Sequence, residues 1–184
     1  MKFNKKRYFE LIKESKKLRQ EGKFLWDLDK VRADELNKYL VLLSDDIFWT
    51  SRKKYRQILE FFVNKKITID EFMCQFGKLR RSNLETAKIY QKKLEAEVCS
   101  VSTMASEIYF QLNSQSVGFT QIIGSIYASI DLFDPDITLE MNLKHPELIG
   151  YGISEEFLRL DIKDNFLPLI KVYCKKSKIS YNIP

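Results

Sequence analysis

Apolar residues recur at three- and four-residue intervals through almost the whole of this chain, and alternating stretches long enough for strands are scarce. Such spacing lays one apolar stripe along each helix, so it predicts an all-α fold whose helices bury their stripes against one another. The 184 residues suffice for one ordinary domain with an appended segment. Only six Gly and four Pro are present to interrupt the pattern.

Tyr8, Phe9, Leu11, Ile12 and Leu18 mark a first helix from Phe3 to about Gly22, where glycine offers a stop. Asp27 or Asp29 can cap a second, running through Leu36, Tyr39, Leu40 and Leu43, after which Asp45-Asp46 leads into Ile47-Phe48-Trp49. Thr50 or Ser51 can cap a third, Arg52 to Val63. In "NKKITIDEF", Asn64 to Phe72, Thr68 and Glu71 have the spacing of a capping box, and Ile67 and Phe72 that of its hydrophobic staple. This helix is expected to stop near Arg80-Arg81-Ser82. Helical spacing resumes from Leu84 to Leu112, with a break available at Ser100 to Thr103, and again from Phe119 to Phe133, which is apolar on most sides. After the Asp134-Pro135 break, Ser154 with Glu155 and Glu156 opens a last helix to about Tyr173, bent or split at Pro168. The expected architecture is an antiparallel helical bundle with a four-helix core over residues 51–174. A basic N-terminal helical extension, 1–50, precedes it and a frayed tail, 175–184, follows.

Several chemistries lack material. No apolar run approaches the ~20 residues that span a bilayer, and "MKFNKKRYFELIKESKK" lacks the apolar stretch of a secretory signal. Cys74, Cys99 and Cys174 are widely spaced and odd in number, which predicts reduced, buried thiols inside a cell. His145 is the sole histidine and precedes Pro146 in a polar loop, so neither a metal site nor a histidine relay is expected. There is no Gly-rich phosphate loop and no nucleophile elbow. Asp131, Asp134, Asp136 and Glu140 fail as a calcium loop, because Ile137 stands where the sharp turn needs Gly. The reading is of a non-enzyme with no cofactor and no metal. Lys, Ile, Phe, Tyr and Asn, all with A/T-rich codons, make up 71 of 184 residues. That bias hints at an A/T-rich genome, such as an organelle's or a low-GC bacterium's; the expected location is a cytoplasm, or a plastid stroma if the protein is organelle-encoded.

Charge is divided along the chain. Residues 1–99 hold 24 Lys/Arg against 15 Asp/Glu, and residues 100–172 hold 4 against 10. Lys5, Lys6, Arg7, Lys13, Lys16, Lys17 and Arg19 on the first helix, with Arg52, Lys53, Lys54 and Arg56, form a candidate anchoring surface for RNA or an acidic protein. A solvated helix face is the plainer use for the same residues. Acids gather instead at "IYASIDLFDPD", Ile126 to Asp136, where Asp131, Asp134 and Asp136 surround a Phe-Asp-Pro break; Glu140, Glu155 and Glu156 can extend that group.

Two blocks, "FFVNKKITIDEFMCQFGKLRR" at Phe61 to Arg81 and "IYASIDLFDPD" with "GISEEFLRLDIKDNFLPLI" at Gly152 to Ile170, resemble the bacterial self-protective colicin-like immunity family of the colicin D type. The resemblance spans roughly residues 58 to 173 and is weaker over Leu84 to Leu112. The first fifty residues have no counterpart in the small, acid-rich prototype. It implies an antiparallel helical bundle that binds the nuclease domain of a tRNA-cleaving toxin and presents acids, here Asp131, Asp134 and Asp136, to its basic active site. The basic extension and the A/T-rich composition keep a second expectation open: a small, organelle-encoded accessory subunit reusing the bundle within a large protein or RNA-protein complex.

Overall fold

The computed structural model of the chain describes residues 4–99 and 114–175. Regular structure among the described residues is helical, apart from a single parallel bridge between Phe133 and Ile153. The all-α class therefore holds. The chain divides into two compact units, the described residues of Met1–Ile47 and Asn83–Val117 and those of Phe48–Ser82 and Gly118–Pro184.

In the first unit, α1 (Lys5–Gln20) is capped by Asn4, whose side chain accepts from the Arg7 amide. It ends where expected, at Gly22. With φ at 72° this residue takes the left-handed conformation, and the Gly22 and Lys23 amides turn back onto the carbonyls of Arg19 and Leu18. A short turn of helix, α2 (Leu25–Leu28), leads into α3 (Lys30–Thr50), capped by Asp29 through the Arg32 amide. The helix does not stop at Asp45-Asp46. Leu43 before the pair and Phe48 after it are both buried, and this packing outweighs a helix-propensity penalty of a few tenths of a kcal/mol per Asp.

The N-terminal helices share a core with part of α5 (Ile69–Cys99). Tyr8, Leu11 and Ile12 of α1 share one core with Leu25, Leu36, Tyr39, Leu43 and, from the distant α5, Leu94. The Tyr8 and Tyr39 rings meet edge to face at 5.9 Å. A lone amphipathic helix would leave that stripe wet, so α1 needs the far half of α5 to cover it.

The second unit is built on aromatic rings. Here α4 (Arg52–Val63) and α5 join through a tight turn in which Lys65 takes a left-handed φ of 56°. The capping box forms as its spacing predicts: the Thr68 amide donates to Glu71 Oε2 at 2.9 Å, and the Glu71 amide donates to Thr68 Oγ1 at 3.2 Å. Across the turn Phe62 stacks on Phe72, with centroids 4.1 Å apart. Tyr55 sits fully buried against Phe76 and against Phe119 of α6 (Ser114–Asp131). The expected stop at Arg80-Arg81-Ser82 is absent, and α5 runs on for 31 residues in all. That triplet contains neither Gly nor Pro, and the next residue, Asn83, is buried.

The C-terminal helix splits into α8 (Glu155–Asp161), a π-turn (Ile162–Phe166) and α9 (Leu167–Lys175). Pro168 has no N–H for the carbonyl four residues back, and the widened π-turn just ahead of it absorbs the mismatch. Leu158, Ile162, Leu167 and Ile170 still keep one buried line along the whole piece. Cysteines depart from expectation: Cys74 is exposed and Cys174 is half-buried, its thiol pushed up by burial. The Cys99 side chain, the break expected at Ser100 to Thr103, and the tail beyond Lys175 lie outside the described residues. No helix among the described residues is long and apolar enough to cross a membrane.

Candidate protein-binding site

The acidic corner is assembled from the end of α6 to the start of α8. Pro135 disfavours helical backbone at Asp134 and cannot donate a helical hydrogen bond, so the helix closes with the Leu132 and Phe133 amides turned onto Ser129 and Ile130. The chain then pairs with the segment before α8. The Asp134 amide donates to the Ile153 carbonyl at 3.0 Å, and the Ile153 amide to that of Leu132 at 2.8 Å. Asp134 Oδ1 accepts from the Asp136 amide at 2.9 Å, closing a local Asx turn. Thr138 caps α7 (Leu139–Lys144) through the Met141 amide.

A buried asparagine ties these pieces together. Asn142 Nδ2 donates to the Gly152 carbonyl at 3.1 Å, and its Oδ1 accepts from the Ser154 amide at 2.8 Å. Ser154 in turn caps α8 through the Phe157 amide. Gly152 lies so close beneath the corner that a Cβ there would collide with Ile137 Cδ1 and sit 3.3 Å from Asp134 Cβ. Backbone and buried side chain therefore carry most of the corner's support, and of its three aspartates only Asp134 adds to it, through the Asx turn.

The six anticipated acids divide into two kinds. Asp131, at the last residue of α6, and Asp136 are exposed, and Asp134 is half-buried; none of the three makes an ion pair among the described residues. Glu156 is also exposed and unpaired among them. Glu140 is paired with Lys144 one helical turn on. Glu155 is held by Arg159, whose guanidinium also donates to the Phe62 carbonyl and lies 3.9 Å over the Phe62 ring. Glu155 is thus part of the scaffold rather than of an open surface. An acid not anticipated, Glu147, stands beside His145 at 3.1 Å; its own amide and the imidazole hold its carboxyl below the usual range. Apolar residues in the same stretch were also missed as surface features: Met141, Leu143, Leu148 and Tyr151 are all exposed. They straddle the end of α7 and the His145-Pro146 turn, so no helical period connects them and nothing in the sequence signalled their exposure.

The basic residues divide likewise. Arg7 grips Glu35 with Nη2 at 2.7 Å and Nε at 3.1 Å, holding that carboxyl below its ordinary range. Lys16 Nζ donates to the Glu95 carbonyl at 3.1 Å. Arg52 covers the Trp49 ring at 4.6 Å and Arg56 pairs with Glu60 at 2.9 Å. Lys6, Lys13, Lys17, Arg19, Lys53 and Lys54 are left exposed, while the side chain of Lys5 lies outside the described residues.

No three His, Cys, Asp or Glu among the described residues are grouped to hold a metal ion. Two shallow clefts, of about 320 and 440 Å³, are lined by mixed charges, Lys65, Glu71, Glu156 and Arg159 in one and Lys66, Lys163, Asp164 and Lys171 in the other. Neither includes the Asp131 to Asp136 corner. What that corner offers chemically is a set of carboxylates at fixed positions, able to accept from the Arg and Lys donors of an approaching surface. No protein-family model, no curated protein and no solved structure matches the chain.

Proposed function

We propose that the chain is a non-enzymatic binding protein of the colicin D immunity kind, which occupies the basic, tRNA-binding active site of a ribonuclease toxin in the cytoplasm. Asp131, Asp134 and Asp136 stand in for tRNA phosphates in this reading. The observation that supports it is that the three aspartates enter no ion pair among the described residues, while hydrogen bonds through Asn142, Ile153 and Ser154 hold the corner and Asp134 adds only its Asx turn. Carboxylates already fixed in position lose little freedom on binding, and their field speeds encounter with a cationic partner.

The test is the triple change Asp131→Asn, Asp134→Asn, Asp136→Asn, assayed for protection of cells that express a colicin D-type tRNase domain and for association with that domain. Asn keeps the Asx-turn acceptor at position 134, so the melting curve should not move. Association should slow and protection should fail. Full protection by the triple variant rejects the proposal.

A further inference from the structure

Two short stretches of this chain each expose four large apolar residues, and their charged neighbours along the chain are of opposite sign. In the turn between α1 and α3, Phe24, Trp26, Leu28 and Val31 are 60%, 49%, 60% and 78% exposed, whereas Leu25 between them is buried. Residues 13–32 around this tip hold seven Lys/Arg to four Asp/Glu, and two of those acids, Glu14 and Asp29, are held by Arg32. On α7 and the turn after it, Met141, Leu143, Leu148 and Tyr151 are 47%, 67%, 46% and 85% exposed. There, residues 131–156 hold seven Asp/Glu to one Lys.

We propose that these are the two halves of one contact, so that the chain associates head to tail, the Trp26 tip of one copy seated on the Tyr151 platform of the next. Single exposed apolar residues are ordinary on a protein surface; four large ones within eight residues of chain at the tip, and within eleven at the platform, single these two stretches out as surfaces to be covered. An apolar, aromatic centre inside a charged rim is the composition of a protein interface, with Trp and Tyr its usual anchors. The charges choose the occupant. Of the seven platform acids Glu140, Glu147 and Glu155 are paired; platform on platform would set the remaining four, Asp131, Asp134, Asp136 and Glu156, against four, while tip on platform sets a basic rim on an acidic one. The platform is also preorganised, because Asn142 and Gly152 pin it from beneath. A few hundred Å² of apolar surface on each side puts the contact at the weak, concentration-dependent end of the interface range. Since the two surfaces differ, the contact is heterologous and extends to further copies unless it closes into a ring. The rim includes Asp131, Asp134 and Asp136, so self-association would compete with a toxin at that corner, but the test uses this chain alone and its failure leaves the toxin reading untouched.

The experiment is sedimentation of the full chain, compared with the double variants Trp26→Ser/Leu28→Ser and Leu143→Ser/Tyr151→Ser. All four side chains are exposed, so circular dichroism should match the wild type. The average mass of the wild type should climb past that of a dimer as concentration rises, and fall several-fold toward monomer in about 1 M salt, where the screening length is ~3 Å. Each variant alone should stay monomeric. An equimolar mixture of the two should form a dimer and nothing larger, because it retains one intact tip and one intact platform. Trp49 is buried, so a blue shift of tryptophan emission on association reports Trp26. A wild type that stays monomeric to about 1 mM overturns the proposal, as does association surviving in either variant or a mixture that remains monomeric.

Discussion

Asn142 and Ser154, twelve residues apart, are joined in the interior, where the Ser154 amide donates to Asn142 Oδ1 at 2.8 Å. The same asparagine reaches the Gly152 carbonyl with Nδ2, so one buried amide side chain satisfies a donor and an acceptor of the segment entering α8. A polar group buried this deeply is tolerated because both of its ends are bonded. The result is that α7 is tied to the segment that pairs with the acidic corner and caps α8.

Asn142→Ala should therefore be costly beyond the loss of volume. It leaves the Ser154 N–H and the Gly152 carbonyl buried without partners, at ~1–3 kcal/mol each. Urea denaturation should show a loss of about 2–4 kcal/mol. A loss within the noise of a surface substitution would mean that water replaces the side chain and that the corner is not pinned by it.

Gly152→Ala should destabilise by about 1–3 kcal/mol through overpacking, since the new methyl runs into Ile137 Cδ1. Ile137→Val removes that atom and should cost about 1 kcal/mol by itself. The two changes should then be strongly non-additive, the double variant more stable than Gly152→Ala alone. Additive losses in denaturant titrations would place the strain elsewhere, against the backbone or Asp134 Cβ.

What the sequence made legible is what short-range chemistry decides. The caps at Asp29, Thr68 and Ser154 and the stop at Gly22 each close within three or four residues, so their residue types carry the information locally. Arg80-Arg81-Ser82 was misread as a helix end, and the run of one helix through Asp45-Asp46 to Thr50 was not foreseen, because polar residues weaken a helix only slightly and the buried residues that override them, Asn83 and Phe48 among others, find their partners through the tertiary fold. The division of the acids was illegible for the same reason. Nothing in the order of residues couples Arg159 to the Phe62 carbonyl 97 positions away, and without that contact Glu155 looks as open as Asp136.

Asp46 should give the fold an acid-side dependence. Burial pushes its carboxyl up from 3.8 to about 6. A raised acid binds its proton more tightly in the folded state, so its contribution to stability is greatest below about pH 4 and declines as pH rises through about 6. The decline is on the order of 2–3 kcal/mol at one pKa unit per ~1.4 kcal/mol. Asp46→Asn should remove it, stabilising the protein at pH 7.5 and leaving it nearly unchanged at pH 4. Parallel stability curves for wild type and variant between those limits would show that Asp46 titrates as an ordinary surface acid.

The paired and unpaired acids should separate in a single comparison. Arg159 is only 11% exposed and is engaged by Glu155, by the Phe62 carbonyl and ring, and by the Ile67 carbonyl. Lys cannot reproduce that fork, so Arg159→Lys should lower stability by about 2–3 kcal/mol, and Glu155→Gln, which keeps a neutral acceptor, by about 1 kcal/mol. Neither should change association with a cationic nuclease domain at a temperature where the variant remains folded, because neither alters the corner at Asp131 to Asp136. The triple Asn variant should do the reverse, with an unmoved melting curve and slower association whose salt dependence is reduced. If Glu155→Gln weakens association as much as the triple change does, the binding surface extends onto α8 and the partition between scaffold acids and ligand-facing acids is wrong.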